Sequence, residues 1–143
     1  MRRVGRFIAQ GDEVKTIPSL VLALALAGCA AAGEVEDTRE ARALERRLAS
    51  RVAGEPRECV PRVQGQALTA ADRRTIVYET PGEIWVSRLA ADCPGLRPFS
   101  TLIVETHGDR YCRNDRIRAL EPGTTIPGPI CLLGRFTPHR LRR

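Results

Sequence analysis

The stretch Arg74–Arg88, RTIVYETPGEIWVSR, decides the fold. Its first arm, Arg74–Glu79, alternates Ile76 and Tyr78 on one side with Val77 on the other, the period-two pattern of a strand. Thr80-Pro81-Gly82-Glu83 then spells a tight turn. Proline presets the first central dihedral and glycine accepts the positive φ of the second. Ile84–Arg88 returns as the second arm, so the segment is an antiparallel hairpin. Trp85 lies mid-arm, on the face opposite Ile84 and Val86. It is either a core anchor or the centre of a binding face, and core is the favoured assignment because aromatics are only 4% of the chain.

Similar short runs continue outward. Thr101–Glu105 (TLIVE) is a third arm, THGD turns it into Arg110–Cys112, and Arg116–Leu120 extends the sheet. The loop EPGTTIPGP leads to a last apolar strand at Ile130–Leu133. Short strands with regular turns predict a mainly β domain over 57–138: a small antiparallel sheet or partly closed barrel, with a basic tail at 139–143. Before it, Asp37–Gly54 reads as one helix. Asp37 and Glu40 supply the capping spacing, and Gly54 with Pro56 closes the helix. Leu44, Leu48 and Val52 form a narrow apolar stripe that rests one helix edge on the domain.

The N-terminus indicates the compartment. Ile17–Ala27, IPSLVLALALA, is an apolar run led by Lys15, too short for the roughly 20 residues of a spanning helix. It has the length of a secretory signal core, roughly 7–15 residues. Leu26-Ala27-Gly28-Cys29 follows, and it resembles the lipobox of bacterial lipoproteins. That resemblance implies a leader over 1–28, lipid on the sulfur and amine of Cys29, and a tether over 29–36. Multiple acyl chains anchor stably where one is marginal. Asp12 and Glu13 are unusual before such a run, which suggests that translation starts at Val14. Ala30 after the acylated cysteine implies an outer-membrane, periplasm-facing location if the cell is Gram-negative.

With Cys29 assigned to lipid, Cys59, Cys93, Cys112 and Cys131 remain, an even number for an oxidising compartment. A domain this small gains from staples, so two disulfides are expected. Three pairings are open. The expected pair Cys59–Cys131 joins the ends of the domain, and Cys93–Cys112 ties a loop to the neighbouring hairpin. No two cysteines have the close spacing of a zinc site or redox pair, and no cofactor or metal is expected. His107 and Cys112 would supply a nucleophile pair only if Cys112 were free.

The net charge of +6 is spread among acidic residues with no single-sign stripe, which argues against nucleic acid. From Cys59 to Pro138 the pieces DRRTIVYE, ADCPGL, YCRNDRI and CLLGRFTP resemble an uncharacterised family of small secreted or lipid-anchored proteobacterial proteins. The resemblance implies a shared small β-rich fold and export, and it brings no activity. Asp115, in the Cys-x-x-Asp turn after Cys112, is expected to accept backbone N–H bonds.

Without a catalytic motif, the expected function is a lipid-anchored envelope protein acting as a binding or accessory module. Its expected partners are the membrane through the lipid, and an envelope protein or anionic polymer. One alternative is a small periplasmic hydrolase of an envelope polymer, working through Asp or Glu. Another is an inhibitor or folding partner, marked by an exposed apolar patch around Trp85.

Overall fold

The fold is seen in a computed structural model that describes residues 28–142. The leader, its apolar run and the start at Val14 therefore lie outside the described residues, apart from Gly28. Helix α1, Gly28–Ala49, is followed by ten strands: β1 Arg51–Ala53, β2 Cys59–Pro61, β3 Leu68–Ala70, β4 Thr75–Thr80, β5 Glu83–Arg88, β6 Thr101–Glu105, β7 Arg110–Cys112, β8 Arg116–Leu120, β9 Cys131–Leu132 and β10 Phe136–Leu141. Among the described residues no helix is long and apolar enough to cross a membrane.

The hairpin forms as read. Thr80 pairs Glu83 across Pro81-Gly82, and Gly82 takes φ 88°. β4 and β5 are the centre of a five-stranded antiparallel sheet ordered β1-β10-β5-β4-β3. Both faces of this hairpin are buried. On one face Val77, Ile84 and Val86 pack with Ala71 beneath Leu44 and Leu48 of α1. On the other, Ile76, Tyr78, Trp85 and Phe136 meet Val60 and Tyr111 of β2–β7 and Ile117 and Ala119 of β8. The main core is thus enclosed by the large sheet, the pair β2-β7 and the three-stranded sheet β6-β8-β9. The fold is mainly β, as expected, but among the described residues the strands make three separate sheets and no closed barrel.

Three expected boundaries are corrected. The helix already runs through 29–36, so those residues are helical, and Asp37 lies inside the helix and not at its cap. It ends at Ala49, with Arg46 and Arg47 in the last turn, where positive charge complements the helix dipole. Arg51–Ala53 leave the helix because they pair with Leu141–His139 of β10, and Val52, read as part of the helical stripe, is exposed on this edge strand. Within the segment 139–143, read as a tail, residues 139–141 correspondingly supply the end of β10: His139 pairs Ile84, and Arg140 pairs Glu83. Strand pairing between residues about ninety positions apart overrode a local helical pattern.

The cysteines form two disulfides, as expected, but in the pairing Cys59–Cys112 and Cys93–Cys131. The expected Cys59–Cys131 and Cys93–Cys112 are corrected. Cys59 and Cys112 face each other directly in the β2–β7 ladder, and β2 was not foreseen. Cys131 pairs Ile117 at the start of β9 and packs against the main core, where Cys93 is buried. Two disulfides indicate an oxidising, exported compartment.

Candidate functional site

The turn after β7 begins the site. Asn114 takes φ 69°, a left-handed conformation that Asn tolerates better than most residues. It reverses the chain so that the buried Asp115 carboxylate accepts the Cys112 backbone N–H at 2.7 Å, as the Cys-x-x-Asp spacing predicted. Asn114 N–H donates to Leu133 O, and Leu133 N–H donates to Asp115 O. This seats the segment Leu132–Arg135 beside the turn.

Gly134 then passes so close to the Arg88 main chain that a Cβ there would overlap the Arg88 carbonyl oxygen and lie 3.0 Å from its carbonyl carbon. Only glycine permits that approach. It brings together three arginines from separate elements: Arg88 at the end of β5, Arg113 after β7 and Arg135 before β10.

Between these segments and the end of α1 lies an open groove of about 820 Å³. Leu48, Val86 and Leu133 supply apolar lining, and Arg88, Arg113, Arg135, Thr137 and His139 supply polar lining. Among the described residues no carboxylate lines it. Glu58 stands nearby and pairs with two of the arginines: Arg135 Nε lies 2.6 Å from its Oε1, and Arg113 reaches the same oxygen at 3.7 Å. Such a site offers planar donors to an anionic group over an apolar floor, and guanidinium forks suit carboxylate and phosphate.

His139 is part of the groove's electrostatics. Its imidazole pKa is lowered, first by burial and then by the positive charges of Arg51 and Arg88. The folded protein therefore resists a proton that the unfolded chain accepts near 6.5. This contribution to stability is complete above pH 6.5 and is lost as pH falls through the lower folded value. Urea unfolding midpoints between pH 7.5 and pH 5.0 are expected to drop less in His139→Gln than in wild type. Equal drops would show that His139 is not part of the acid sensitivity.

The other residues singled out in the sequence take structural places. Trp85 is only 4% exposed, sits in the main core and donates its indole N–H to Thr80. The binding-face reading of Trp85 is therefore corrected; Arg57 covers the ring from 5.5 Å. Among the described residues, Trp85 and its neighbours Ile84 and Val86 are all buried. Cys112 is in a disulfide, so it is not a free nucleophile for His107, whose own ring is exposed 3.9 Å from Asp115. Cys29 falls in the first turn of α1, and its acylation lies outside the described side chains. Among the described residues no three His, Cys, Asp or Glu side chains cluster as a metal site would require.

The arginine groove was not foreseen. Arg113 and Arg135 lie inside the recognised pieces YCRNDRI and CLLGRFTP, and the glycine of the second piece was the available signal. Residues 13–136 match a family of unknown function (DUF6491), while no curated protein and no solved structure matches the chain.

Proposed function

Because the chain belongs to DUF6491, a family of unknown function, we propose its role from the groove: a lipid-anchored envelope module that binds carboxylate groups of an anionic polymer. The observation that carries this reading is the convergence of Arg88, Arg113 and Arg135 on one groove whose described lining holds no carboxylate. Charge-assisted bonds from several guanidiniums give orientation as well as attraction. The apolar run before Leu26-Ala27-Gly28-Cys29 supports the anchor, and the two disulfides support export. The hydrolase alternative calls for carboxylates facing a cleft, whereas this cleft is lined by arginines.

Two measurements test the proposal. Calorimetric titration of the processed, detergent-solubilised protein with oligogalacturonate should show binding that weakens as salt rises. The double variant Arg88→Gln/Arg135→Gln should lose on the order of tenfold in affinity. Absence of binding at low salt by both wild type and Glu58→Gln, or an unaffected double variant, overturns the groove assignment. For the anchor, Cys29→Ala should accumulate as a larger precursor, and wild-type protein released without lipid would remove that claim.

A further inference from the structure

Two of the lining arginines, Arg113 and Arg135, are already paired with an anionic group just outside the lining, the carboxylate of Glu58. Its position is set by the main chain. Glu58 O accepts the Arg113 N–H at 2.7 Å, and its neighbour Cys59 is bonded to Cys112. On its other side Arg57 exchanges both backbone hydrogen bonds with Phe136, next to Arg135. The three segments are thus tied together without the ion pairs. The Glu58, Arg113 and Arg135 side chains are each about half exposed, and water screens pairs of this kind. A held carboxylate that adds little to stability, paired with two arginines of a basic groove, has the features of an internal substitute for a ligand.

We propose that Glu58 is a built-in competitor: it fills the Arg113–Arg135 subsite, and a ligand carboxylate displaces it to engage both guanidiniums. This rests on the groove reading above and adds a regulatory residue to it. Glu58 sets the threshold for capture, so that isolated carboxylates compete poorly and a polymer presenting several in register binds. Arg88, which Glu58 does not pair with and whose one recorded side-chain bond is a long 3.4 Å donation to the Thr75 hydroxyl, makes the first contact through its remaining N–H groups.

The test compares four forms of the full processed chain by calorimetry with oligogalacturonate: wild type, Glu58→Gln, Glu58→Asp and Glu105→Gln. Glu105 is a control outside the groove lining, an exposed carboxylate paired with Arg116 on the small sheet. Glu58→Gln is expected to bind about three- to tenfold tighter with its melting temperature within about 2 °C of wild type. Glu58→Asp keeps the charge and should stay near wild type, as should Glu105→Gln. Binding by Glu58→Gln alone would also support the competitor. Equal affinity of wild type and Glu58→Gln, or equal tightening by Glu105→Gln, overturns it while leaving the groove reading in place. A Glu58→Gln protein that melts well below wild type without gain in affinity shows a structural ion pair and overturns it as well. If neither wild type nor Glu58→Gln binds, the groove reading and the competitor fall together.

Discussion

Reduction of both disulfides is expected to unfold the protein at room temperature. The two bridges join cysteines 53 and 38 positions apart, and chain-entropy arguments assign about 4 kcal/mol to each. A domain of this size has a total stability on the order of 5–15 kcal/mol, so losing both removes most of it. The single-bridge variant Cys93→Ala/Cys131→Ala should be the more damaging of the two. Cys93 is fully buried in the main core, so the substitution also removes packing at the sulfur. Circular dichroism with and without reductant measures the effect, and a folded, cooperative reduced protein would contradict it. Peptide mapping should return Cys59–Cys112 and Cys93–Cys131 only.

Gly134→Ala is expected to cost about 3–4 kcal/mol and lower the melting temperature by roughly 15 °C. The added methyl meets main-chain atoms of Arg88, and these cannot rotate away as a side chain would. Either the end of β5 or the Leu133–Arg135 segment must move. Each movement pulls on hydrogen bonds that seat the segment, Asn114 to Leu133 and Leu133 to Asp115. The same displacement separates Arg88 from Arg135, so affinity for a carboxylate ligand should fall with stability. A variant melting within about 3 °C of wild type would show that the approach relaxes cheaply.

The parts of this fold that the sequence announced are those built by neighbours in the chain. The Pro81-Gly82 turn needs four consecutive residues, and it holds β4 and β5 in register from Thr75↔Arg88 to Thr80↔Glu83. Asp115 caps Cys112 from three positions away. The period-two alternation of Ile76, Val77 and Tyr78 correctly separated two faces, although both proved to be covered. The helix core at Leu44 and Leu48 was legible for the same reason, since a four-residue spacing is a property of the helix itself.

The helix end misled because Val52 continues that spacing, while an edge of β10 was available to bond its backbone. The groove was illegible in a different way. Arg88, Arg113 and Arg135 look like three of many solvated charges until Gly134 lets one strand end lie on another. Apart from the glycine before Arg135, nothing in their local sequence distinguishes them from Arg74 or Arg118, which hold loops through backbone carbonyls.

By itself, then, the sequence determined the hairpin, the mainly β class and the even set of four cysteines that pair, because each depends on short-range spacing or on composition. Tertiary structure alone decided which cysteine meets which, where the helix yields to a strand, and which arginines share a groove. Those outcomes depend on pairing between distant strands, whose register is selected by packing the whole core at once.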